Sequence, residues 1–184
     1  MTGKLVVLAG PSAVGKGTVA SYIHSHFPNF HLSVSATTRE PRPGEQDGIS
    51  YIFVDRTEFE EMIQKGELLE WAEVHGSNLY GTPKAPVQKA LEMGFNVLLE
   101  IDVQGAMQVR ETAPESILIF IKPPSFEALA ERMDARGTES PKDKAIRMET
   151  AKSELARVGE FDFTVTNDDV ERCAQEVVEL TKAN

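Results

Sequence analysis

A chain of 184 residues with 41% hydrophobic and 26% charged residues has the balance of a globular protein with one domain's worth of core. Its formal net charge of −10 excludes an extended nucleic-acid surface, although a few local arginines and lysines suffice to hold a small phosphate ligand. A single cysteine, Cys173, excludes an intramolecular disulfide, no apolar run reaches membrane-spanning length, and the N-terminal apolar stretch is too short for a signal peptide, so the expectation is a cytoplasmic protein that binds neither nucleic acid nor membrane.

In chain order, residues 4–10 (KLVVLAG) form a continuous apolar run ending in glycine, the pattern of a strand buried on both faces. Residues 18–27 place Val19, Ile23 and Phe27 on one helical stripe, stopped by Pro28. Residues 31–36 (HLSVSA) fit a second strand, and further apolar runs stand at 95–102, 116–122 and 161–167. Helical patterns lie at 86–93, 104–111, 125–136, 141–158 and 170–182, with Cys173 read as core. This alternation predicts an α/β fold, a parallel five-stranded sheet with helices on both faces.

Two stretches break the rhythm. Residues 37–83 carry Pro41, Pro43 and Gly44, then strand candidates at 49–54 and 68–75. The helix between these strands opens on Thr57 and Glu60, read as a capping box, and stops at Gly66. This is a small mixed α/β lobe inserted after the second strand. Residues 126–150 are dense in charge of both signs, which alone describes a solvated helical face. His24, His26, His31 and His75 show neither metal nor triad spacing.

Between the first strand and first helix, Gly10, Pro11, Ser12, Ala13, Val14, Gly15, Lys16, Gly17 and Thr18 fit the phosphate-loop pattern G-x-x-x-x-G-K-[ST] except at Gly17. Gly10 and Gly15 let backbone N–H groups turn inward around phosphate oxygens, the helix start adds its positive end, and Lys16 supplies a mobile charge. Gly17 removes the usual hydroxyl ligand for Mg²⁺; Thr18, one residue on, is the substitute candidate, with the ion held largely through waters and phosphates. The same G-K-G-T ending occurs in the adenylate kinase family, so the departure resembles a working variant. Asp102-Val-Gln-Gly105 matches the D-x-x-G pattern of GTPases, but no N-K-x-D accompanies it.

The segment TTREPRPGEQDGISYIFV (37–54) resembles the guanylate kinase signature T-[ST]-R-x-x-[KR]-x-x-[DE]-x-x-G-x-x-Y-x-[FY] at every specified position: Thr37, Thr38, Arg39, Arg42, Glu45, Gly48, Tyr51 and Phe53. Further likenesses follow at 68–82, 96–110, 131–140 and 164–169, so the resemblance spans nearly the whole chain. It implies a phosphate-loop nucleoside monophosphate kinase that converts ATP and GMP to ADP and GDP with Mg²⁺, working as a monomer or small homo-oligomer. It also implies a core of residues 1–34, 84–125 and 149–184, a GMP-binding lobe at 35–83 and a lid at 126–148, with lobe and lid closing on substrates.

At the matching positions the resemblance implies the following roles. Arg39, Arg42, Tyr51 and Tyr80 hold the GMP phosphate, for which planar guanidinium forks suit better than lysine. Glu70 accepts from the adjacent N1–H and exocyclic amine of guanine, with Ser35 and Thr82 as hydroxyl contacts. Glu100 and Asp102, at a strand's carboxyl edge, complete the GMP side and order Mg²⁺ waters or a substrate-holding arginine. The family usually has Asp where this chain has Glu100. Arg132, Arg136 and Arg147 are lid arginines that close over ATP and the transferred phosphate, Arg136 and Arg147 acting in catalysis with Lys16 and Arg42. Asn167 and Asp168 belong to the adenine-side loop, and Asp168 also suits the N-cap of the last helix. The alternative to an enzyme is a guanylate-kinase-like module that binds protein ligands without catalysis.

Overall fold

The computed structural model describes residues 2–74, 78–136 and 141–183, with backbone alone for Arg136 and residues 141–144. The elements in order are β1 (Leu5–Ala9), α1 (Lys16–His26), β2 (Phe30–Leu32), β3 (Ala36–Thr37), β4 (Ile52–Phe53), α2 (Arg56–Gln64), β5 (Leu68–Val74), β6 (Asn78–Pro83), α3 (Lys84–Glu92), β7 (Asn96–Glu100), α4 (Val103–Thr112), β8 (Ile117–Lys122), α5 (Phe126–Arg136), α6 (Pro141–Ala156), β9 (Phe163–Thr166) and α7 (Val170–Ala183). The large sheet has five parallel strands in the order β2-β7-β1-β8-β9.

Strand periodicity divides the core between the two faces of this sheet. Val6, Leu8, Leu98, Ile119 and Ile121 point to one side, where they pack with Val19, Ala20 and Ile23 of α1 and Cys173, Ala174, Val177 and Val178 of α7. Leu5, Val7, Ala9, Val97, Leu99 and Leu118 point to the other, against Val87 and Ala90 of α3 and Ala106 and Val109 of α4. Both faces are covered, which is why the strands read as unbroken apolar runs. None of the described helices is long and apolar enough to cross a membrane.

The second sheet has four strands in the order β4-β3-β6-β5; β3 and β4 run parallel, and β6 runs antiparallel to both β3 and β5. Its own small core is Ala36, Phe59, Leu68 and Leu79. Here the sequence reading needs correction. The strand expected over 31–36 is two strands in different sheets, because the chain crosses between them at residues 33–35: Ser33 N–H still donates to Leu98 in the large sheet, while the Ser35 carbonyl already accepts from Ile52 in the small one. Strand β6 was not among the expected strands; its sequence NLYGTP carries Gly81 and Pro83, residues depleted in strands.

Two caps also differ from expectation. The α2 N-cap is Asp55, whose carboxylate accepts from Glu58 N–H at 2.8 Å, rather than Thr57 of the expected Thr57–Glu60 box. The last helix is capped by Asp169, which accepts from Arg172 N–H at 2.9 Å, and not by Asp168, whose carboxylate pairs instead with the Arg172 guanidinium.

Candidate active site

The glycine loop lies at the carboxyl edge of β1, where parallel α/β sheets bind ligands. Its shape depends on backbone that side chains disfavour: φ is +146° at Gly10, +64° at Ala13 and +95° at Gly15. A Cβ at Gly10 would stand 2.2 Å from the Ile121 carbonyl, and one at Gly15 would stand 2.5 Å from Asn167 Nδ2. The Lys16 ammonium folds back over the loop, donating to the Gly10 carbonyl at 2.6 Å and the Pro11 carbonyl at 3.2 Å.

Three cavities lie side by side along this edge. The middle one, about 390 Å³, is lined by Ser12, Ala13, residues 15–18 and Glu100. The second, about 320 Å³, shares Ala13, Gly15 and Thr18 with it and adds Arg132, Asn167, Asp168 and Val170. The third, about 490 Å³, shares Glu100 with the middle one and is otherwise lined by His24 and residues 31–35 and 48–51; Arg39, Glu70, Tyr80 and Thr82 do not line it. A larger cavity of about 860 Å³ sits at the other end of the strands, around Lys4, Arg110 and Asp162, away from every residue of the glycine loop.

On the inserted-segment side, the Arg39 guanidinium is held by Glu45 at 2.9 Å and lies over the rings of Tyr51 and Phe53, 5.3 and 5.9 Å from their centroids. The Tyr51 and Tyr80 rings meet edge-on at 5.9 Å, and burial pushes the Tyr51 hydroxyl above its ordinary pKa. Arg42 is exposed, its backbone N–H donating to Glu45 at 2.8 Å. Glu70 and Thr82 are both buried, and the Thr82 hydroxyl donates to the Glu70 carboxylate at 2.7 Å. Burial pushes the Glu70 carboxyl up to about 7; the Thr82 bond opposes the shift and the nearby Asp102 charge adds to it.

Asp102 has a local job that the sequence reading did not see. Its carboxylate caps α4, accepting from Gly105 N–H at 2.7 Å. The D-x-x-G match is therefore a helix cap, which any helix start of that kind produces. Glu100 ends β7 with an exposed carboxylate that borders Gly17: a Cβ there would lie 3.1 and 3.3 Å from its two oxygens. A longer acid at 100 and a missing side chain at 17 thus fit one another.

Of the three expected lid arginines, two reach the loop. Arg132 donates to the carbonyls of Val14 at 3.1 Å and Asn167 at 2.8 Å, and Arg147 donates to Ser12 Oγ at 3.3 Å. The side chain of Arg136 lies outside the described residues. Asn167 is buried, its Nδ2 donating to the Val14 carbonyl at 2.8 Å, while Oδ1 is enclosed without a partner among the described residues. One acid was missed altogether: Glu154 of α6, half-buried and raised in pKa by that burial, faces Lys16, which opposes the shift, and Asp102, which adds to it. A glutamate among many on a charged helix carries no signal of this in the sequence.

A glycine loop with its lysine between two linked cavities, one walled in part by residues 48–51 of the inserted segment, defines a phosphate-loop nucleotide-binding α/β protein. Comparison with known proteins narrows the class. Residues 2–184 match the guanylate kinase family. The guanylate kinase of Leifsonia xyli subsp. xyli is 57% identical over 176 residues, 96% of this chain and 69% of that protein. That of Nocardia farcinica is 54% identical over 179 residues, 97% of this chain and 93% of that protein. The crystal structure of guanylate kinase from Anaplasma phagocytophilum superposes with a TM-score of 0.77 at 35% identity, covering 99% of this chain and 86% of that one. The chain belongs to the guanylate kinase family.

Proposed function

We propose that this chain is a cytoplasmic ATP:GMP phosphotransferase that moves the γ-phosphoryl group of ATP to the GMP phosphate, giving ADP and GDP. The observation that carries this reading is the row of three cavities, joined by shared walls, with the phosphate loop in the middle. Adenine enters the outer cavity beside Asn167 and Asp168. The triphosphate lies along the loop, and GMP enters from the inserted lobe of residues 35–83. Residues 126–148 act as the lid on the core formed by the remaining segments.

Guanine presents an N1–H and an amine side by side, and the ionised Glu70 accepts both, with the Thr82 hydroxyl bonded to it and Ser35 as a further hydroxyl contact. Arg39 and Arg42, with the phenolic hydroxyls of Tyr51 and Tyr80, grip the GMP phosphate. Phosphoryl transfer demands positioning and charge neutralisation more than covalent chemistry. Lys16 leaves its carbonyl partners for the β- and γ-phosphates, and Arg147, already at Ser12, reaches the transferred group together with Arg136. Arg132 holds the loop and the Asn167 segment in one piece.

The donors near the loop suit Mg²⁺: the Thr18 hydroxyl and the Glu100 carboxylate line one cavity, both hard oxygens, and among the described residues no group of three or more His, Cys, Asp or Glu stands ready to chelate a metal alone. Such a sparse set fits an ion that keeps its waters and leans on substrate phosphates. When bound it supplies neutralisation of the β- and γ-phosphate oxygens. The alternative of a non-catalytic protein-binding module leaves the engagement of Lys16, Arg132 and Arg147 with the loop without a use. Incubation with ATP labelled in its γ-phosphate tests the proposal: label passes from ATP to GDP, whereas label released only as inorganic phosphate, or none moved, refutes it.

A further inference from the structure

The acid at position 70 does not sit on regular strand. Leu68 pairs with Pro83 and Trp71 pairs with Gly81, so Leu69 and Glu70 together oppose the single residue Thr82. This is a β-bulge, the device that re-aims a side chain within a sheet. Three consecutive residues, Leu68, Leu69 and Glu70, are buried as a result, where plain alternation would turn the middle one outward. Strand β5 is also the edge of its sheet, so its outer backbone groups have no strand to pair with.

Helix α4 supplies those partners with side chains. Gln108 Oε1 accepts from Trp71 N–H at 3.1 Å and Gln108 Nε2 donates to the Trp71 carbonyl at 3.0 Å, so one amide mimics a neighbouring strand. One turn on, the Thr112 hydroxyl donates to the Leu69 carbonyl at 2.8 Å. The two residues flanking Glu70 are thus pinned to one helix. One turn back on the same face stands Gly105, where a Cβ would lie 3.0 Å from Glu70 Oε2.

We infer that Gln108, with Thr112 and Gly105, forms a seat on α4 that holds the β5 bulge and aims the Glu70 carboxylate at the guanine edge of the monophosphate. These are positioning residues, acting through Glu70 and touching no substrate. The inference rests on the proposed role of Glu70 and deepens it: guanine selectivity is set by the helix that carries the bulge as well as by the acid itself. A Gln108 amide lost from the bulge lets the carboxylate wander, which weakens GMP capture and leaves the ATP side, built on the glycine loop, unaffected.

The test is a two-residue cycle, Gln108→Ala, Glu70→Gln and the double variant, with KM for GMP and for ATP measured for each and folding checked by thermal melting. Gln108→Ala is expected to raise KM for GMP about fivefold or more with KM for ATP unchanged. In the Glu70→Gln background the same change is expected to shift KM for GMP by less than about twofold, since the residue it acts through is already disabled. Equal loss for both substrates, or fully additive effects, overturns the inference. Thr112→Val, nearly isosteric, repeats the test if Gln108→Ala does not fold, with the same split expected. A Glu70→Gln protein with wild-type KM for GMP overturns the parent reading and this one with it; an impaired Glu70→Gln beside an unimpaired Gln108→Ala overturns this one alone.

Discussion

The Thr82 hydroxyl donates to the Glu70 carboxylate at 2.7 Å, and both side chains are buried. Burial leaves this carboxyl with a pKa of about 7, above the ordinary value of 4.5. In the unfolded chain it ionises near 4.5, so between that value and about 7 the folded protein holds a proton that the unfolded chain has lost. Its contribution to stability is therefore fully present below 4.5 and is lost as pH rises through about 7. Glu70→Gln, which cannot ionise, should gain melting temperature relative to wild type as pH climbs from 5 to 8. Melting curves that stay parallel across that window contradict the assignment.

The same proton bears on recognition. The ionised carboxylate is the form that accepts from guanine, so KM for GMP should fall as pH rises past about 7. The Glu70→Gln protein shares every other titration, including that of the GMP phosphate, and should lack this component. Comparing the two pH profiles of KM isolates the residue.

Glu70→Gln also tests selectivity at fixed pH. The amide presents a donor where guanine needs an acceptor, and a buried donor left without its partner costs about 1–3 kcal/mol. Preference for GMP over AMP, read as the ratio of kcat/KM values, should drop on the order of 10- to 100-fold.

Lys16 is the mobile charge at the middle cavity. Lys16→Ala should lower kcat on the order of 10²- to 10³-fold, as loss of one preorganised electrostatic donor does. Wild-type turnover in this variant would place the chemistry elsewhere.

Gly17 and Gly10 should respond differently to an added side chain. At Gly17 the contact is the exposed, flexible Glu100 carboxylate at 3.1 Å, which has room to give, so Gly17→Ser should keep turnover and Mg²⁺ dependence. At Gly10 the contact is the Ile121 carbonyl at 2.2 Å, part of β8, and φ is +146°, so Gly10→Ala should lower the melting temperature markedly. Equal tolerance at both positions, by melting and by assay, would contradict the loop geometry.

The central strands of the large sheet were legible because they are covered on both faces and write apolar runs of their own, as in LVVLA and ILIFIK. The small sheet was legible in part: strands 52–53 and 68–74 fall within the expected 49–54 and 68–75, whereas Ala36–Thr37 is only two residues long and Asn78–Pro83 contains Gly81, a residue that ordinarily weakens strands. Caps slipped by one or two positions at Asp55 and Asp169, since neighbouring Asp and Thr residues are equally able acceptors and only backbone direction chooses between them. Within the site, Gly10, Lys16 and Arg39 stood out through spacing and signature. The convergence of Arg132 and Arg147 on the loop spans more than a hundred residues and has no local trace. The Glu70 bulge and its Gln108 partner are likewise products of tertiary contact alone.

Glu70 and the row of linked cavities make one claim together, that a guanine monophosphate is held end to end with a nucleoside triphosphate across the glycine loop. A coupled assay with purified protein, ATP and Mg²⁺, offering GMP, AMP, CMP and UMP in turn, puts that claim to its most direct trial. Rapid ADP formation with GMP and little with the other three is the predicted result. No turnover with GMP, or an equal rate with AMP, would contradict it.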